Sequence, residues 1–176
     1  MKDRIWTLSN GLSLLRILLV VPVGILLVSG NPDDRLYAAG LIAIAVLTDF
    51  LDGLIARMKN EVTLLGKIID PVADKVGIGA LALILTAQGT LPLWFTLAVV
   101  GRDLAILAAA YILSRKGEAM PQSNRTGKWA AGVMGMTVLI AVVDPANGSG
   151  VLVPSIAASA LMIALSSISY AKRFSR

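Results

Sequence analysis

Long apolar runs constrain the fold of this chain more than any other feature. Six of them follow one another along 176 residues, and each ends at a charged or turn-forming segment. A helical run of about 20 apolar residues spans the hydrocarbon core of a bilayer. With 56% hydrophobic and 15% charged residues, the chain lacks the polar cover of a soluble domain. We therefore expect an all-α integral membrane protein with six transmembrane helices, at residues 12–28, 36–56, 68–88, 93–113, 129–143 and 151–170.

The organisation of the chain is that of one domain. The connections are short, which predicts antiparallel neighbours in a single bundle, and neither a linker nor an internal repeat divides residues 1–176. Residues 1–10 form a short amphipathic stretch, and Arg16 interrupts the first apolar run without a signal-peptide cleavage pattern. We expect an N-terminal interfacial helix that leads into the first span.

The basic residues predict the orientation. They fall at both termini and in the second and fourth connections, whereas the opposite connections hold only Arg35. The positive-inside rule therefore predicts cytoplasmic termini. The compact chain without a recognisable targeting peptide leads us to expect a prokaryotic inner or plasma membrane. Nucleic-acid binding is not expected, because no stacking aromatic residues are interleaved with the basic ones.

Four aspartates lie in hydrophobic sequence near the cytoplasmic ends of the second and third spans. Asp49 and Asp52 are three residues apart, and Asp70 and Asp74 are four apart, so each pair shares one helix face. Carboxylates inside membrane helices are energetically costly and mark functional cavities. The sequence therefore predicts a shallow site that is reachable from the cytosol.

This set of acids predicts divalent metal binding. Four crowded carboxylates cannot all stay ionised without cations, and the chain contains no histidine and no cysteine. Hard oxygen ligands favour Mg²⁺ or Mn²⁺, and two such ions suit phosphoryl or pyrophosphate chemistry. Gly53, Ala56 and Gly66 leave room for a phosphorylated ligand, and Arg57 can make a bidentate contact with its phosphate oxygens.

The pattern D-x-x-D-G-x-x-A-R-x8-G-x-x-x-D-x-x-x-D runs from Asp49 to Asp74. It resembles the signature of the CDP-alcohol phosphotransferase (CDP-alcohol phosphatidyltransferase) family at every position. The resemblance implies a homodimer that transfers a phosphatidyl group from a CDP-linked lipid, CDP-diacylglycerol, to an alcohol and releases CMP. It further implies that the four aspartates hold two metal ions and that Asp74 is the general base. The implied cytidine and phosphate site consists of Asp52, Gly53, Ala56, Arg57 and Gly66.

The acceptor alcohol is predicted from residues beyond the motif. The stretch Asp70-Pro-Val-Ala-Asp74-Lys75 and the opening Ser9-Asn10-Gly-Leu-Ser13-Leu-Leu-Arg16 are most similar to phosphatidylglycerophosphate synthases and the related cardiolipin synthases. The candidates for binding an acceptor phosphate are the cations Arg102, Arg115, Arg125 and Lys128. Such a cluster favours a small anionic acceptor, and we expect glycerol 3-phosphate.

Several alternatives remain open. Arg102-Asp103 is closer to the mitochondrial type of cardiolipin synthase, whose acceptor is phosphatidylglycerol, and Arg102 can instead form a structural pair with Asp103. Inositol phosphate and serine are further acceptors within the family. A divalent-cation transporter is the alternative from another class, but the outer halves of the spans are almost free of charge.

Overall fold

The computed structural model describes residues 8–59, 66–115 and 125–174, and these residues contain six helices and no strand. The helical prediction is therefore confirmed for this part of the chain. The helices are α1 (Leu8–Val28), α2 (Pro32–Lys59), α3 (Gly66–Ala87), α4 (Leu93–Arg115), α5 (Arg125–Val143) and α6 (Leu152–Phe174).

The chain forms two compact units, one up to Leu85 and one from Thr86 onwards. In the first unit, α1 and α2 pack against each other as a helical hairpin. Gly30, with φ of 78°, follows the end of α1, where glycine adopts the left-handed conformation without steric cost. Pro32 then begins α2, and Asp33 and Asp34 occupy its first turn, which favours acidic side chains through the helix dipole.

Two glycines mark the approach of α1 to α3 within the first unit. A Cβ atom at Gly77 of α3 would lie 3.8 Å from Val20 Cγ2, and one at Gly24 of α1 would lie 3.1 Å from Ile84 Cδ1. Both contacts run in the same chain direction, so α1 and α3 are parallel along this contact. Small residues permit such close packing between apolar helices.

In the second unit, α6 packs against both α5 and α4. The side chains of Thr137 and Ser159, both fully buried, share a hydrogen bond of 2.8 Å between their hydroxyls. Thr137 also donates to the carbonyl oxygen of Ser155 at 3.0 Å. Hydroxyl bonds of this kind join apolar helices.

A polar turn connects α5 to α6. The carboxylate of Asp144 accepts hydrogen bonds from the hydroxyl and the N–H of Ser149 and from the N–H of Gly148. These bonds, led by the Ser149 hydroxyl, lower the pKa of Asp144 from its ordinary value. Asn147 adopts a φ of 53°, and its side-chain oxygen accepts from the N–H of Leu152, the first residue of α6. The turn thus caps the start of that helix.

Among the described residues, two helical segments are long and apolar enough to cross a membrane. They are Thr126–Val143 and Leu152–Tyr170, and the segments Leu14–Val28 and Lys75–Ala87 are apolar but shorter. Buried core helices of soluble proteins can be equally long and apolar. However, only 39% of Thr126–Val143 and 22% of Leu152–Tyr170 is buried. The six spans stay a prediction, as do the single domain and the N-terminal interfacial helix, whose residues 1–7 lie outside the described part.

Candidate functional site

The aspartate motif lies on two described helices. Asp49 and Asp52 belong to α2, and Asp70 and Asp74 belong to α3. At a rise of about 1.5 Å per residue, the helical backbone separates Asp49 from Asp52 by about 4.5 Å along the axis and Asp70 from Asp74 by about 6 Å. The i,i+3 and i,i+4 geometry expected from the sequence is therefore present in the backbone.

The remaining motif residues follow the same two helices. Gly53, Ala56 and Arg57 continue α2 towards its end at Lys59, and Gly66 begins α3. The side chains of all these motif residues, and the connection at 60–65, lie outside the described part of the structure. Their roles in binding metal, nucleotide and phosphate, and that of Asp74 as base, stay predictions.

The donor set suits a divalent cation on chemical grounds. Four carboxylates provide hard oxygen ligands, and a chain without histidine or cysteine offers no imidazole or thiolate in competition. The side chains that the structure does describe contain no group of three or more metal-binding residues. The motif aspartates stay the predicted metal ligands.

The acceptor candidates lie on the second unit. Arg115 is the last residue of α4 and Arg125 the first of α5, and their side chains are not among those described. Lys128, in the first turn of α5, is exposed. Because Lys128 is open to solvent, its ammonium can meet a soluble anion without first breaking a buried contact.

The side chain of Arg102 is buried, in contrast to that of Lys128. Its side chain is 7% exposed, and its Nη1 donates to Asp103 Oδ1 at 2.7 Å. Nε and Nη2 both donate to Ser166 Oγ of α6, at 3.3 and 3.0 Å. Nη2 also donates to the carbonyl oxygen of Gly127 in α5 at 3.4 Å. The pairing with Asp103 that the sequence left open is therefore present, while contact with an acceptor stays a prediction.

Sequence reasoning missed Ser166. This serine is fully buried, lies 64 residues from Arg102 along the chain and belongs to no motif. Its spacing was a usable signal, because Ser159 and Ser166 lie two helical turns apart and therefore share one face of α6. Polar residues on one face of an apolar helix indicate contacts between helices.

Apolar helices and a carboxylate motif on α2 and α3 are features of membrane-associated enzymes. The sequence model of the CDP-alcohol phosphatidyltransferase family matches residues 6–169. The chain belongs to this family.

Relatives with different names are similar to this chain. A cardiolipin synthase (CMP-forming) of Streptomyces coelicolor is 37% identical over 132 residues, which cover 73% of this chain and 61% of the relative. The human protein of that name is 39% identical over 107 residues, which cover 60% of this chain and 35% of the relative. A CDP-diacylglycerol–glycerol-3-phosphate 3-phosphatidyltransferase of Pseudomonas fluorescens is 34% identical over 144 residues, which cover 76% of this chain and 72% of the relative. The chain thus spans about three fifths of the first relative and about one third of the second.

Proposed function

We propose that this chain is an enzyme that transfers the phosphatidyl group of CDP-diacylglycerol to glycerol 3-phosphate, giving phosphatidylglycerophosphate and CMP. The observation that carries the proposal is the complete aspartate motif on α2 and α3 within a family match over residues 6–169. The Pseudomonas fluorescens relative, covered over 72% of its length, is named for this reaction.

In the proposed mechanism, Asp74 accepts the proton of the acceptor hydroxyl. The acceptor oxygen then forms a bond to the phosphorus that carries the diacylglycerol, the pyrophosphate bond breaks, and CMP leaves. General-base catalysis of this kind contributes about 10²–10⁴-fold in rate. Arg57 binds the phosphate oxygens of the donor through its planar guanidinium, and Gly53, Ala56 and Gly66 leave space for the nucleotide.

Two divalent ions, Mg²⁺ or Mn²⁺, are proposed as cofactors. Asp49, Asp52, Asp70 and Asp74 would hold them, and the ions would neutralise charge on the pyrophosphate and on the departing CMP. The absence of histidine and cysteine from the chain supports this choice of metal.

The proposed setting is a homodimer in a prokaryotic inner or plasma membrane, with six spans and with both termini and the active site on the cytoplasmic side. Large apolar side chains that are more than half exposed support contact with lipid, since a soluble monomer does not expose so many. Examples are Leu18, Ile25, Leu36, Leu104 and Leu161. In this setting the acyl chains stay in the bilayer while the headgroup meets a soluble acceptor.

Phosphatidylglycerol is the second candidate acceptor. The Streptomyces coelicolor and human relatives named as cardiolipin synthases favour it, as does the Arg102–Asp103 pair. The cationic candidates Arg115, Arg125 and Lys128 favour the small anionic acceptor instead, because a cationic cluster concentrates anions at its surface. We therefore rank glycerol 3-phosphate first.

An acceptor panel distinguishes the two candidates. Purified full-length protein is incubated with CDP-diacylglycerol, Mg²⁺ or Mn²⁺, and one acceptor at a time: glycerol 3-phosphate, phosphatidylglycerol, inositol phosphate or serine. The lipid products are identified by mass spectrometry. We expect phosphatidylglycerophosphate; cardiolipin formed from phosphatidylglycerol in its place would contradict the acceptor assignment and leave the enzyme class intact.

A further inference from the structure

The buried guanidinium of Arg102 joins all three helices of the second unit. It starts on α4, reaches the backbone of α5 at Gly127 and contacts α6 through Ser166. These contacts, with the bond to Asp103, involve all three guanidinium nitrogens. A planar group held at several nitrogens has one orientation, whereas an ammonium group in its place would rotate.

Ser166 fixes one edge of this guanidinium. Its hydroxyl oxygen accepts from both Nε and Nη2, the two nitrogens of that edge, while Asp103 binds at Nη1. The Ser166 side chain is fully buried, so bulk solvent does not share the two bonds that it accepts. Loss of a partner by a buried charged donor is costly, and the guanidinium then shifts towards its remaining acceptors.

The same guanidinium also contacts the first turn of α5. Nη2 is the atom that bonds both to Ser166 Oγ and to the carbonyl oxygen of Gly127. Lys128 directly follows Gly127, and Arg125 precedes it by two residues. A change in the position of Nη2 therefore acts on the turn that carries two of the candidate acceptor cations.

We propose that Ser166 is a positioning residue for the acceptor phosphate: its hydroxyl orients Arg102 and, through Arg102, the first turn of α5. The inference rests on the proposed transferase function and adds to it a residue outside the motif. Arg102 can act on the acceptor by direct contact or by placing the first turn of α5. The role of Ser166 is the same in both cases, because each depends on the orientation of the guanidinium.

The neighbouring serine provides a matched control. Ser167 is exposed and donates its hydroxyl to the carbonyl oxygen of Ile163 in its own helix at 2.8 Å. Ser166→Ala and Ser167→Ala therefore remove the same group at adjacent positions, and only the first changes the contacts of Arg102. A general effect of losing a serine from α6 appears in both variants.

The first experiment measures kcat and KM for both substrates in the purified full-length variants. We expect Ser166→Ala to raise the KM for glycerol 3-phosphate about tenfold, the equivalent of about 1.4 kcal/mol, with kcat and the KM for CDP-diacylglycerol changed less than about twofold. Ser167→Ala should match wild type. Equal losses in every parameter, with a lowered melting temperature, would show a structural role only and overturn the proposal.

A double-mutant cycle tests the route through Arg102. Arg102→Lys keeps the charge beside Asp103 but removes the guanidinium edge that binds Ser166. In the Arg102→Lys background we expect Ser166→Ala to change the acceptor KM by less than about twofold, because residues that act through one contact are not additive. A full tenfold effect in that background would show that Ser166 acts without Arg102.

The proposal and the function on which it rests fail in different ways. Wild-type protein that releases no CMP with any acceptor would contradict the proposed function and remove the basis of this inference. Active wild-type protein in which Ser166→Ala behaves like Ser167→Ala would overturn this inference alone. If phosphatidylglycerol proves to be the acceptor, the same comparison is made with the KM for that lipid.

Discussion

At the scale of single residues, Asp74 is the most critical position of the proposed mechanism. A carboxylate that accepts the acceptor proton cannot be replaced by an amide, because the amide has no basic oxygen. We expect Asp74→Asn to lower the rate of CMP release by at least about 100-fold, within the range for general-base catalysis. The measurement is the steady-state rate of CMP release from CDP-diacylglycerol with saturating glycerol 3-phosphate.

The matched control for Asp74→Asn is Asp33→Asn. Asp33 is an exposed acid in the first turn of α2, outside the motif, so the same change of carboxylate to amide should leave CMP release within about twofold of wild type. An Asp74→Asn enzyme that releases CMP as fast as this control would contradict the assignment of Asp74 as the base.

Asp144 provides a prediction about pH at the same scale. Hydrogen bonds from Ser149 and Gly148 hold its folded-state pKa below the ordinary value of 3.8, so the ionised form stabilises the folded state. This contribution is fully present above the ordinary pKa and is lost as the pH falls through the lower folded-state pKa. We expect Asp144→Asn to lower the melting temperature at pH 7.

The difference between Asp144→Asn and wild type should shrink as the pH falls below the ordinary pKa of 3.8, because the unfolded wild-type chain then binds a proton, and it should vanish once the pH passes the lower folded-state pKa. Melting temperatures of both proteins from pH 7 to pH 3, in one detergent and at one ionic strength, check this. A difference that stays constant over the whole range would show that the carboxylate charge does not stabilise the turn.

At the scale of helices, Gly24 tests the packing of α1 against α3. A Cβ at this position lies 3.1 Å from Ile84 Cδ1, whereas a Cβ at Gly40 in α2 has no atom within 4 Å. We expect Gly24→Leu to destabilise the protein by about 1–3 kcal/mol through overpacking. The same exchange at Gly40 should stay within about 0.5 kcal/mol of wild type, because its surroundings are open. Thermal unfolding in detergent compares the two; equal stability of both variants would contradict the described α1–α3 contact.

The apolar runs predicted the helices well and their ends less well. The fifth apolar run was expected to begin at residue 129, but α5 begins at Arg125. The side chains of Arg125 and Lys128 interrupt the apolar pattern, whereas the helical backbone continues through both residues. The second was expected from residue 36, but α2 begins at Pro32, where proline and the acids after it favour a helix start.

In the candidate site, too, some features could be predicted from the sequence and others could not. The aspartate spacing could be predicted because it follows from helical periodicity within one element, whereas the contact between Arg102 and Ser166 could not. Ser166 lies 64 residues away in sequence, and nothing in a linear pattern specifies which face of α6 meets α4. Contacts between helices depend on packing, and a single sequence shows only that a polar residue in an apolar helix needs a partner.

At the scale of the whole molecule, the central claim is that this member of the CDP-alcohol phosphatidyltransferase family is a metal-dependent transferase. A transporter that used the same four aspartates would bind divalent ions and leave CDP-diacylglycerol intact. The two functions therefore differ in whether a covalent bond is broken.

The most direct measurement is CMP release by the purified full-length protein with CDP-diacylglycerol, with and without glycerol 3-phosphate, and with and without Mg²⁺ or Mn²⁺. We predict CMP only when donor, acceptor and divalent ion are all present, in a one-to-one ratio with phosphatidylglycerophosphate. CMP release that is unaffected by chelation of the divalent ions, or no CMP with any acceptor of the panel, would contradict the account.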